Sequence, residues 1–239
     1  MTLKTALILL PGTAGEPNDF GAQLKYFQQE RPVLACPLPE ESTLEQMVEG
    51  VIQQINRFEP AQSGFVVAGH SLGGLMALEL AARKVKGLLG ISLIDTPMLI
   101  PAPVAESLAP LAQAFQTDAY HSTLENFANT FFFAPDDEVS MRDRLLQRLL
   151  HFPKDRFIAL FNASGSYDAS FAILQSRVPM LYLHSGVPID LEKLRGSYPA
   201  KLTIRNTVRS SHYSMIFSAD EVNLHLAEFL KQIEMKPAD

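Results

Sequence analysis

The sequence predicts an α/β protein built on a mostly parallel, doubly wound sheet, with a helical segment inserted in its second half. Three observations carry this. Short apolar, β-branched runs alternate with helical patterns through the first hundred residues. One of these runs, Phe65-Val66-Val67-Ala68, passes through Gly69-His70-Ser71-Leu72-Gly73 straight into a helical pattern. Strand pattern then stops after Asp95 and resumes only near Val178. At 239 residues the chain suits one such domain with an insertion, and is long enough to bury a large core.

Taken in order, residues 5–10 (TALILL) read as a buried strand that runs into the turn Pro11-Gly12-Thr13-Ala14-Gly15. Phe20, Leu24 and Phe27 recur at helical spacing. Residues 33–36 form a second strand, ended by Pro37 and Pro39. The stretch Ser42-Thr43-Leu44-Glu45 reads as a capping box, and Leu44, Met47, Val48, Val51, Ile52 and Ile55 then line one helical face. Residues 65–68 and 87–95 are the next strands. Residues 178–184 and 202–208 are the last two, and Ser218-Ala219-Asp220-Glu221 is expected to cap a closing helix with Val222, Leu226, Phe229 and Ile233 inward.

Between these parts, residues 98–175 lose strand character and gain helical patterns such as Leu108, Leu111, Phe115 and Leu145, Leu146, Leu149. They are expected to form a helical cap on a core of residues 1–97 and 176–239. Tyr120, Phe127 and Phe131-Phe132-Phe133 make that cap aromatic, so it can line a pocket, although such rings also serve simply to hold a cap down.

The pattern Gly-x-Ser-x-Gly at residues 69–73 has the setting it needs: strand, sharp turn, helix. Glycines two residues either side of Ser71 let the backbones close up, and the turn lifts the hydroxyl above the sheet edge while the helix starting at Leu72 aims N–H groups at an attacked carbonyl oxygen. Thr13, in the turn after the first strand, is the expected second oxyanion donor beside Leu72. His212 falls in the loop after the last strand, where a general base belongs in the order Ser, acid, His. Asp95, at the tip of the strand next to the serine strand, is the preferred acid. Asp190 is the alternative, six residues past its strand and readable as a helix cap; Asp168 is a weaker third, also readable as a cap. His121, His151 and His225 read as surface or structural residues, His70 as packing in the elbow, and His184 as a residue that can border the pocket.

Composition narrows the function class. A net charge of −6 offers no basic field for nucleic acid or an anionic membrane. A single cysteine, Cys36, forbids an internal disulfide, and with no paired histidines at helical zinc spacing it argues against a metal centre; no cofactor is expected. No apolar run approaches a membrane span, and Pro11-Gly12 cuts the first one too short for a signal-peptide core, so a cytoplasmic location is expected.

The strand order, the elbow GHSLGG and the late His212 resemble the α/β-hydrolase superfamily along nearly the whole chain. Within it, TLEQMVEGVIQQI, GHSLGGLMALELA, ISLIDTP and SHYSM are similar to the thioesterase domains and type II thioesterases of polyketide and nonribosomal peptide synthesis. In that family the acid follows the strand after the elbow, which maps onto Asp95, and the base maps onto His212. The opening loop PGTAG departs from the His-Gly found in many hydrolases. The resemblance implies a serine hydrolase that cleaves an acyl thioester, carried on coenzyme A or an acyl carrier protein. A carboxylesterase or lipase-like enzyme and a non-catalytic binder of a small apolar ligand are the alternatives.

Overall fold

The structure is a computed structural model that describes residues 4–208 and 211–235. Six strands form one sheet: β1 (Ala6–Leu10), β2 (Val33–Ala35), β3 (Phe65–His70), β4 (Leu88–Ile94), β5 (Met180–His184) and β6 (Leu202–Asn206). Their order is β2-β1-β3-β4-β5-β6, and every neighbouring pair is parallel. This is an α/β-hydrolase fold. The near-continuous apolar runs follow from it, because a parallel sheet is covered on both faces and every residue of β1 and β3 is buried.

Period-two alternation divides the core. Ala6, Ile8 and Leu10 point into one apolar cluster with α2 (Leu44–Arg57), α3 (Leu72–Ala82), α8 (Ala169–Gln175) and α9 (Leu191–Ser197). Leu7 and Leu9 point the other way. There they meet α1 (Gly21–Phe27), α10 (Ser214–Phe217) and α11 (Ala219–Glu234), in a cluster that extends into the helices inserted between β4 and β5.

Those helices are α4 (Ala102–Ala114), α5 (Tyr120–Phe131), α6 (Val139–Leu150) and α7 (Lys154–Ser166), followed by α8. The expected cap runs to residue 175 and so includes α8. Ala169, Ala172 and Ile173 of α8 sit in the sheet's own core and α8 packs along α3, so it is the crossover helix into β5 rather than part of the insertion. By contrast α4 buries none of its residues.

Two caps also differ from expectation. The N-cap of α2 is Thr43, whose hydroxyl accepts from the Gln46 N–H (3.3 Å) and donates to the Gln46 side chain (2.9 Å), so the cap lies one residue after Ser42 and pairs with Gln46 rather than Glu45. Ser218 occupies the N-cap of α11 without a side-chain bond, and Glu221 instead accepts from the Val208 N–H (2.9 Å). No helix among the described residues is long and apolar enough to cross a membrane.

The chain leaves β1 for β2 on one side and crosses to β3 on the other, so the loops after β1 and β3 diverge at a switch point. Their approach is close. A Cβ on Gly69 would collide with the backbone carbonyl of Gly73, and one on Gly73 would collide with that of Leu10. Gly69→Ala is therefore expected to cost about 3 kcal/mol or more in urea unfolding. Gly21→Ala, at a helical position with open space around it, should be neutral or stabilising by up to about 1 kcal/mol in the same measurement.

Candidate active site

Ser71 sits between β3 and α3 with φ 52° and ψ −120°, a conformation that disfavours a side chain. The turn holds because the Ser71 N–H donates to the Ile94 carbonyl (3.0 Å) and the Ser71 carbonyl accepts from the Gly74 N–H (2.9 Å). Leu72 is the first residue of α3, so its N–H has no acceptor within the helix. The turn after β1 lies directly against the elbow: a Cβ on Gly12 would stand about 3.0 Å from that of Ser71. Thr13, the next residue, lines the same cavity as Ser71.

Asp95 follows β4 and is wholly buried. Its Oδ2 accepts from His212 Nδ1 at 2.7 Å, and its Oδ1 accepts from the N–H groups of Ser185 (2.8 Å), Gly186 (3.0 Å) and Val187 (3.2 Å). Burial pushes the carboxyl up. The hydrogen bond and charge of His212, with the Ser185 and Val187 N–H groups, more than offset this and hold it below the ordinary carboxylate range. An ionised Asp95 fixes the proton on Nδ1 of His212 and leaves Nε2 as an acceptor. No hydrogen bond joins the Ser71 hydroxyl to His212 among the described residues. The two share one cavity wall, and such bonds tighten in complexes with substrate.

His212 is held from two further sides. Its carbonyl accepts from His70 Nε2 (2.8 Å), and its N–H donates to the carbonyl of Phe132, at the end of α5. The Phe132 ring stacks on the imidazole with centroids 4.6 Å apart and planes at 20°. Beside it, the Ser211 hydroxyl donates to Asp137 (2.8 Å), which also accepts from the Ala134 N–H (2.8 Å). The insertion thus grips the histidine loop directly. It grips the other loop too: Arg148 of α6 makes a two-pronged ion pair with the buried Asp19 (2.8 and 2.7 Å), just beyond the turn that carries Thr13.

Ser71, His212 and Thr13 open into a cavity of about 150 Å³. Val104 and Leu108 of α4, Phe127 and Phe131 of α5 and Phe161 of α7 cover it.

The other sequence candidates lie elsewhere. Asp190 is exposed and caps α9, its carboxylate accepting from the Lys193 N–H (2.8 Å). Asp168 caps α8 in the same manner through Ser170 (2.9 Å). His184 stays outside the cavity wall and hydrogen-bonds the Val187 carbonyl (3.1 Å), steadying the loop that wraps Asp95. Among the described residues no cluster of three metal-binding side chains occurs. His70 is more than packing, and sequence held a signal for it: a polar residue at the end of a buried strand must find a partner. The Phe132 and Arg148 contacts join segments 80 or more residues apart and left no such signal.

A family model of the thioesterase domain matches residues 5–157. The chain belongs to the thioesterase domain family. The matched part of this thioesterase-family chain includes Ser71 and Asp95 and ends before His212. Comparison with curated protein sequences gives no match. Among solved structures, the fold is similar to an enol-lactonase from Burkholderia xenovorans (TM-score 0.79, 20% identity, 95% of this chain and 92% of that one). It is also similar to a hydrolase from Oleispira antarctica (0.82, 12%, 95% and 91%) and to a thermophilic esterase from Thermogutta terrifontis (0.76, 16%, 97% and 91%).

Burial holds the pKa of His70 down at about 3, against an ordinary 6.5, with the neighbouring His212 adding to the effect. Between those two values the unfolded chain binds a proton at His70 that the native protein refuses, so stability falls as pH falls from 6.5. Urea unfolding should therefore lose about 1 kcal/mol per pH unit through this group below pH 6.5. His70→Gln, which keeps a donor for the His212 carbonyl, should flatten that slope; an unchanged slope would show that His70 is not held neutral.

Proposed function

We propose that this protein is a serine hydrolase that cleaves acyl thioesters through an acyl-enzyme on Ser71. The observation that carries the reading is the buried Asp95–His212 pair at the wall of the cavity that also holds Ser71. Membership of the thioesterase domain family supports the choice of thioester.

In this reading Ser71 Oγ attacks the acyl carbonyl carbon while His212 Nε2 takes the hydroxyl proton. Asp95 keeps the imidazole in the required tautomer and stabilises it once charged. The N–H groups of Leu72 and Thr13 receive the developing oxyanion, and the positive end of α3 adds to them. Collapse breaks the C–S bond, and His212 returns the proton to the departing thiolate. Water then attacks the acyl-enzyme with His212 again as base, releasing the carboxylic acid and restoring Ser71. The balance is one thioester and one water giving one acid and one thiol. The acyl group arrives as a small molecule on coenzyme A or on an acyl carrier protein, and no cofactor takes part. The single cysteine, Cys36, buried with its thiol pushed up to about 12, suits a reducing cytoplasm.

A carboxylic ester is the second substrate class, favoured by the fold's likeness to an esterase and an enol-lactonase. Rates on one acyl group presented as thioester and as ester decide between them.

A fluorophosphonate should label the protein at one site, and Ser71→Ala should abolish both labelling and turnover. A native protein that resists labelling would instead be a ligand-binding member of the fold. Asp95→Asn should lower kcat about 10⁴-fold, whereas Asp190→Asn should stay within about threefold of the parent. The reverse pattern would move the acid to Asp190.

A further inference from the structure

We infer that the cavity selects acyl groups by charge, admitting an uncharged hydrocarbon chain and refusing one that ends in a carboxylate. The inference rests on the serine-hydrolase reading of Ser71 and names the substrate class of that site.

The lining residues carry the case. Among the described residues twenty line the cavity, and none of these is Asp, Glu, Lys or Arg. The ionisable side chains among these twenty are His70, His212 and Tyr213. His212 is committed to Asp95 and His70 to the His212 carbonyl, while the Tyr213 ring packs on Phe133 and His70 and its phenol carries no positive charge. Arg148, whose charge reaches Tyr213, is not among the cavity's described lining residues and is occupied by Asp19. Among these described lining residues an incoming carboxylate finds no cation to pair with.

Rings mark the direction of the chain. From His212 the contacts pass to Phe132 (4.6 Å), then Phe127 (5.1 Å), then Phe161 (5.6 Å) and Phe157 (6.0 Å). Phe115, wholly buried, backs the last three at 5.0 to 6.1 Å. An acyl group on Ser71 would extend along this aromatic wall. These phenylalanine side chains offer a carboxylate neither a charge nor a hydrogen-bond donor. A methyl terminus gains from burial there, while a carboxylate pays desolvation without a partner.

The test compares N-acetylcysteamine thioesters of hexanoate and of adipate, which differ only in the far end of the chain. Hexanoyl thioester should be cleaved with a kcat/KM at least about a hundredfold higher. Leu108→Arg places a cation in the lining from α4, a helix that buries none of its residues, so the fold should persist with an unchanged Tm. That variant should raise the adipoyl-to-hexanoyl ratio at least about tenfold. Equal rates on the two thioesters in the parent protein would overturn the inference, as would a ratio unmoved by Leu108→Arg.

A binding arm separates this inference from the catalytic reading. In Ser71→Ala, saturation-transfer NMR should detect hexanamide and not adipamic acid. If the native protein is neither labelled by phosphonate nor active on any thioester, the catalytic reading fails. Preferential binding of hexanamide would then still support charge selection, and any other binding result would overturn it.

Discussion

One buried carboxylate organises the candidate site. Asp95 lies with no exposure at the tip of β4, and an ion in that position survives only if its lone pairs are met. Four donors meet them: three successive N–H groups of the loop after β5, and Nδ1 of His212 from the loop after β6. The requirement to satisfy one anion therefore ties three segments to a common point at the C-terminal edge of the sheet. Asp95 itself takes φ 45°, so the backbone is bent into an unfavourable region to bring the side chain there.

The same logic extends outward. The histidine loop is clamped by His70 from the elbow, through its carbonyl, and by Phe132 from the insertion, through its N–H and the stacked ring. The Arg148–Asp19 pair fastens the insertion to the turn after β1. The inserted helices α5 and α6 thus help to build the site as well as covering it. Helix α4, none of whose residues is fully buried, covers the cavity through half-buried Val104 and Leu108.

The fold and the elbow were legible because they rest on local rules. Apolar runs of strand length, glycines flanking Ser71 and helical stripes such as Met47, Val48, Val51 and Ile55 are dictated within a few residues of themselves. Asp95 directly follows its strand and lies buried on an imidazole, whereas Asp190 lies six residues past its strand and is exposed on a helix start. Less legible was anything that depends on packing. Helix α8 carries a helical pattern like its neighbours, and its packing along α3 is visible only in the fold. The role of His70 and the grip of Phe132 on His212 are tertiary, and no window of sequence contains both partners.

The most direct measurement of the central claim is the downfield proton NMR spectrum of the native protein. An Nδ1–H shared between a buried imidazole and a buried carboxylate should appear as a strongly deshielded, exchange-protected resonance. The account predicts that it is present, disappears in Asp95→Asn and is untouched in Asp190→Asn. Its absence from the native protein, or its survival in Asp95→Asn, would contradict the arrangement on which the site depends.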